Sequence, residues 1–232
     1  STSPTASWTA SRASSRSGVA AAYAAAALAL LVQPLGKPVI IIPVNSANAP
    51  QRPGRPRKEP EQYDASLRAN LVNGVQYATL DVGEVAILIG TTLLRGATAT
   101  VVNGTITSPF ILGRIDFGIK LSAERHRRST QQLKVSGKLQ QHVAQLMLGP
   151  GAMPLNLRGA SAPSALLLSM RGTAPSAELE RIAAAARKAS IPVGVIGAGS
   201  QRLPASVLAI PAMTAEMMYI KFLWTIAQPG NT

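Results

Sequence analysis

The chain of 232 residues contains no cysteine. Disulfides, thiolate metal sites and cysteine nucleophiles are therefore excluded, although a cysteine-free chain fits any redox compartment. Histidine is nearly absent, with only His126 and His142. Aromatic residues make up 4% of a chain that is 47% hydrophobic, so a core is affordable but must be built from aliphatic side chains and alanine. Acid is scarce as well. Ten Asp and Glu stand against 23 Lys and Arg, a formal charge of +13, and the pI is about 11.1. Ordinary soluble domains carry net charges of about 2 to 8, so a surplus this large favours a polyanionic partner, nucleic acid or an anionic membrane surface. The length suits one domain with extensions, or at most two small ones.

Residues 1–58 hold Arg12, Arg16, Lys37, Arg52, Arg55, Arg57 and Lys58 and no acid, the first being Glu59. The opening stretch is rich in Ser, Thr and Ala, the composition of an organelle transit segment or of a retained basic arm. Residues 18–33 form an uncharged, Ala-rich run. It is slightly short for a membrane span of roughly 20 residues, and alanine drives insertion weakly, so a packed helix is the expectation. Val39–Val44 reads as a buried strand bounded by Pro38 and Pro43. Residues 46–62 are a Pro-rich basic loop, which no packed element can occupy. Its Arg52, Arg55, Arg57 and Lys58 suit either a phosphate-contacting arm or a solvated loop.

Downstream, residues 64–80 carry helical spacing at Leu67, Leu71, Val75 and Ala78. Val85–Ile89 reads as a second buried strand, and residues 97–112 as extended structure with a turn at Asn103-Gly104. Residues 122–147 set Arg125, Arg127, Arg128, Lys134 and Lys138 against the single acid Glu124. Leu139, Val143, Leu146 and Met147 keep the spacing of a helix face, which predicts a basic helical insertion. The last third alternates: strand 165–170, helix 176–189, strand 191–196, strand 207–210 and helix 214–227 with Thr214 as cap. That rhythm predicts an α/β fold, a doubly wound parallel sheet with helices on both faces, plus a basic extended N-terminal arm. The expected organisation is an extension over residues 1–36 with the Ala-rich helix, then a single α/β domain over 37–232.

No constellation for chemistry stands out. Neither histidine lies near a Ser or Asp motif, although a triad is a matter of geometry rather than of sequence. Ser136-Gly137-Lys138-Leu139 lacks both the first glycine and the final hydroxyl of a phosphate loop. Gly197-Ala198-Gly199 follows a strand but lacks a third glycine, and Pro204 interrupts the helix that would receive a pyrophosphate. The acids are scattered without metal-ligand spacing. The expectation is a protein that is not an enzyme and uses no cofactor.

Several strings resemble, in order, the small-subunit ribosomal protein S-two family. They are Pro163-Ser164-Ala165-Leu166-Leu167-Leu168, then Ala189-Ser190-Ile191-Pro192-Val193, then Ile210-Pro211-Ala212-Met213-Thr214. Val39–Val44 and residues 67–89 fall where that family has an early strand and a helix–strand pair, and 122–147 where it carries a helical hairpin. Ser164 replaces the family's Asp, and residues 212–215 replace its Gly-Asn-Asp-Asp. The resemblance implies a structural constituent of a mitochondrial ribosome's small subunit, located in the matrix. Its partners would be small-subunit ribosomal RNA and neighbouring ribosomal proteins, with no small-molecule substrate and membrane contact not expected. Phosphates would be met by the 52–58 arm, by Arg125, Arg127, Arg128, Lys134 and Lys138, and by Arg95, Arg114 and Arg158 in loops. Two other readings compete: an accessory subunit of an organelle membrane complex anchored by residues 18–33, and a Rossmann-type enzyme using 197–199.

Overall fold

The structure, a computed structural model, describes residues 5–43, 60–148, 157, 162–170, 176–197, 202–210 and 214–228, with the backbone alone described over 5–17, 60–66 and at 176. The chain divides into two compact units, Ser1–Ser136 and Gly137–Thr232.

The first unit opens with helix α1 (Thr5–Leu31). The N-terminal segment is thus helical from Thr5, not the extended arm the composition suggested. Alanine has the highest helix propensity, and its small side chain lets the helix lie close to its neighbours. Ala22, Ala25 and Ala26 are buried. A Cβ at Gly96 would meet the Cβ of Ala25 at 3.0 Å. The Ala-rich run is therefore a packed helix, and among the described residues no helix is long and apolar enough to cross a membrane.

Strands β1 (Val32–Gln33) and β2 (Val39–Ile41) follow, then helix α2 (Pro60–Ala78) and strands β3 (Val85–Ile89) and β4 (Thr92–Arg95). A short 3₁₀ turn over Gly96–Thr98 leads to β5 (Thr100–Val102), β6 (Thr105–Thr107), β7 (Ile111–Ile115), β8 (Ile119–Leu121) and β9 (Lys134–Val135). Five of these strands form one sheet in the order β2-β3-β4-β7-β8. Only β2 and β3 run parallel; the remaining pairs are antiparallel. The period of two assigns the faces. Val39, Ile41, Val85 and Ile87 pack with Ala25 and Leu28 of α1, whereas Ile40, Ala86 and Leu88 pack with Tyr77 of α2. Because both faces are covered, β3 reads as a continuous apolar run rather than an alternating one. The expected turn at Asn103-Gly104 joins β5 to β6, with both residues at positive φ, 50° and 78°, as a tight hairpin turn requires.

The second unit contains β10 (Val143–Leu148), β11 (Ala165–Met170), helix α3 (Ser176–Lys188), β12 (Val193–Ile196), β13 (Val207–Ala209) and helix α4 (Ala215–Ile226). Its four strands are all parallel and stand in chain order, β10-β11-β12-β13. Leu166, Leu168 and Met170 face α3 through Leu179, Ile182 and Ala186. Ala165 and Leu167 face α4 through Phe222 and Ile226. Thr214 caps α4, its Oγ1 accepting from the Met217 amide at 3.3 Å. The fold is α/β, but in place of one doubly wound sheet it has a mixed sheet of five strands and a parallel sheet of four.

Residues 122–147 depart furthest from expectation. No helix forms there: 122–133 is irregular, and Val143–Leu148 is a strand. Val143, Leu146 and Met147, spaced as a helix face, instead enter the parallel ladder opposite Ala165, Leu168 and Ser169. Tertiary pairing overrides a local period in so short an apolar run.

Two measurements probe this packing. A Cβ at Gly194 would lie 2.5 Å from the ring of Phe222, which is fully buried and cannot yield. Gly194→Ala should cost about 1–3 kcal/mol in denaturant unfolding, whereas Gly118→Ala, with nothing within 4 Å, should be near neutral. Tyr77 is buried and donates to the Thr91 carbonyl at 3.1 Å, and burial pushes its phenol from the usual 10.0 up to about 12. The folded value lies above the unfolded one, so the native state binds the extra proton in that window. Stability should therefore fall as pH rises from about 10 through about 12, and Tyr77→Phe should flatten that fall in alkaline unfolding curves.

Candidate functional site

The described charged groups converge most densely on the turn between α2 and β3, Leu80 to Glu84. Two close approaches shape it. A Cβ at Gly83 would lie 2.3 Å from the carbonyl of Arg127, and one at Gly36 would lie 3.0 Å from the carbonyl of Ser129. Glycine at both positions lets the 126–129 backbone pass directly over the turn. The crossing is held by Gly83 N–H donating to the His126 carbonyl at 2.8 Å and Ser129 N–H donating to the Leu35 carbonyl at 2.9 Å.

Glu84 lies beneath this crossing and is only 7% exposed. Its carboxylate accepts from Arg95 Nε at 2.7 Å and Nη2 at 3.1 Å, and from the His126 amide at 2.6 Å. The His126 ring is itself 77% exposed, with Nδ1 at 3.8 Å from Glu84. Arg95 extends the link, since Nη2 also donates to the Glu124 carbonyl at 2.7 Å and the guanidinium stacks over Phe110 at 4.9 Å. Asp81 does the same work at the other end of the turn. Its Oδ1 accepts from the Arg128 amide at 3.0 Å, and its main-chain carbonyl accepts from Arg125 Nε at 2.9 Å. Arg125 Nη1 donates to the Ser122 carbonyl at 2.8 Å. Arg128 Nη2 donates to the Ala78 carbonyl at 2.7 Å, at the negative end of α2 where a cation is favoured.

A buried carboxylate met by three donors anchors the loop that supplies them. Among the described residues, moreover, no group of three or more His, Asp or Glu could hold a metal ion. The cluster is a clasp for residues 122–129.

Of the cations picked out in the sequence, the structure brings together Arg95, Arg125, Arg127 and Arg128, and of these only Arg127 is mainly solvent-exposed, at 80%. Arg114 on β7, Lys134 on β9 and Lys138 are exposed and stand outside the clasp. Arg52, Arg55, Arg57, Lys58 and Arg158 lie outside the described residues. Sequence reasoning missed Asp81 and Glu84. The available signal was two acids in a chain that has few, placed on the turn entering a buried strand.

No family model matches this sequence, and no curated protein matches it. The fold matches solved structures. L-asparaginase I from Vibrio cholerae superposes with a TM-score of 0.62 at 22% identity, over 90% of this chain and 68% of that one. The thermostable L-asparaginase from Thermococcus kodakarensis gives 0.64 at 18% identity, over 89% of this chain and 66% of that one. The chain spans about two thirds of the length of each.

These likenesses overturn the ribosomal reading. The strings at 163–168 and 189–193 belong to parallel strands and their flanks in a fold like that of the asparaginases, and short apolar strands of this kind recur in many parallel sheets; residues 211–213 of the third string lie outside the described residues. The structural role on ribosomal RNA, its ribosomal partners and the membrane-complex alternative fall with it. So do the expectations of no enzymatic activity and no small-molecule substrate, since both structural neighbours carry the names of enzymes.

The clasp can be tested by a double-mutant cycle. Glu84→Ala strands a guanidinium that is 13% exposed and should cost about 3–5 kcal/mol. Arg95→Ala should cost a similar amount, and the double variant much less than their sum. Arg127→Ala should change stability by under about 0.5 kcal/mol. Additive costs for Glu84 and Arg95 in urea unfolding would show that the pair is not coupled.

Proposed function

We propose that the chain is an amidohydrolase of L-asparaginase type, which releases ammonia from the side-chain carboxamide of a small amino acid. The observation that carries this reading is the fold likeness over nine-tenths of the chain, at TM-scores of 0.62 and 0.64.

Amide hydrolysis needs a nucleophile for the carbonyl carbon, a group to take and return a proton, and donors for the developing oxyanion. With no cysteine in the chain, a covalent route uses a hydroxyl. In parallel α/β sheets ligands are held outside the carboxyl ends of the strands. In sequence, β11 and β12 of the second unit are followed within a few residues by Arg171, Thr173 and Ser200. These lie outside the described residues. We assign Thr173 and Ser200 as the candidate hydroxyls and Arg171 as the partner of the substrate's carboxylate, a pairing that suits guanidinium geometry.

The test is to incubate the purified chain with L-asparagine and measure ammonia and aspartate together. Equimolar release is expected, and replacing the nucleophilic hydroxyl, by Thr173→Val or Ser200→Ala, should lower kcat by roughly a thousandfold or more. A folded chain that yields no ammonia from asparagine or glutamine contradicts the proposal.

A further inference from the structure

The β7–β8 hairpin carries features that neither the clasp nor the amidohydrolase reading uses. Its turn is closed by the Asp116 amide donating to the Gly118 carbonyl at 3.0 Å. At the tip stands Phe117, fully exposed in a chain with few aromatic residues. Ile119 beside it is also exposed, and it pairs across the strands with Ile115. On the next pair back from the tip, Arg114 stands directly opposite Lys120. Both are exposed, and neither side chain has a hydrogen-bond or ion-pair partner among the described residues. Like charges placed opposite each other destabilise a ladder, and an exposed phenyl is poorly placed in water. An external partner that is both anionic and apolar relieves both.

We propose that the tip of this hairpin docks the chain on an anionic phospholipid surface. The order of the groups along the hairpin carries the assignment. Phe117 and Ile119 lead, and the two cations follow three residues behind Phe117, roughly 10 Å along a strand. In a bilayer the acyl boundary lies below the phosphates by a comparable depth, and interfacial elements bury their apolar groups about 5–10 Å. The phenyl enters the headgroup–acyl boundary while Arg114 and Lys120 stay level with the phosphates. The formal +13 charge of the chain adds long-range attraction.

Other partners fit less well. A stable protein interface buries about 800 Å² on each side, more than two side chains supply. A nucleic-acid stacking platform uses flat rings, and Ile119 has none. Asp116 also sits at the tip, and its charge opposes the docking.

The full-length chain is sedimented with vesicles of phosphatidylcholine, with and without phosphatidylserine. Binding is expected only when phosphatidylserine is present. Phe117→Ser should weaken it roughly tenfold. Arg114→Gln together with Lys120→Gln should weaken it by a similar factor or more and remove most of its salt dependence. Asp116→Asn should strengthen it. Each changed residue is exposed, so unchanged thermal unfolding shows that the fold is intact. The proposal is overturned if phosphatidylserine vesicles do not bind, or if the Phe117 and cation variants bind as well as the parent. It is equally overturned if single-stranded RNA binds in a Phe117-dependent way while vesicles do not.

Discussion

A buried carboxylate needs hydrogen-bond donors in place of water, and that constraint organises the first unit. Glu84 meets it with the fork of Arg95 and the amide of His126. Because Arg95 ends β4 and Glu84 precedes β3, the pair ties the ends of two adjacent antiparallel strands. Because His126 belongs to the irregular segment after β8, the same carboxylate holds that segment against the turn. Removing one partner would leave a charge where water cannot reach it, which is why breaking such a pair costs far more than an exposed ion pair contributes. Gly36 and Gly83 make the arrangement possible, since side chains at either place would collide with the crossing backbone.

The rest of the architecture follows from covering sheets on both faces. In the first unit α1 and α2 take opposite faces of β2 and β3. In the second, α3 and α4 take opposite faces of β11 and β12. Alanine and leucine are well suited to this, because small and medium aliphatic side chains let helices lie close without large rings. Four of the aromatic residues take distinct positions. Tyr77 and Phe222 are fully buried, Phe110 lies under a guanidinium, and Phe117 stands in solvent.

Much of the fold was legible in the sequence, and the reasons are physical. Val85–Ile89 and Ala165–Met170 are strands at the expected bounds, because a strand covered on both faces is an unbroken apolar run between turn residues. Ser176–Lys188 was marked by its charges, with Glu178 in the first turn and Arg187 and Lys188 in the last. The Asn103-Gly104 turn was marked by the two residue types that best tolerate positive φ. Residues 122–147 were misread because their order comes from elsewhere in the chain. Glu84 lies 42 residues before His126, and β11 lies beyond the stretch it pairs with. Local spacing contains neither fact. The arginines of this segment and Arg95 have partners that local spacing does not show: they donate to Glu84 and to the carbonyls of Ala78, Asp81, Ser122 and Glu124.

The account turns on whether the arginine-rich segment is held inside the chain rather than offered to a polyanion. Hydrogen–deuterium exchange followed by mass spectrometry tests this directly, comparing residues 122–129 in the parent chain and in Glu84→Gln. The account predicts slow exchange for this irregular segment in the parent and much faster exchange in the variant, while β11 keeps its protection in both. Exchange of 122–129 in the parent at the rate of an unstructured chain would contradict it.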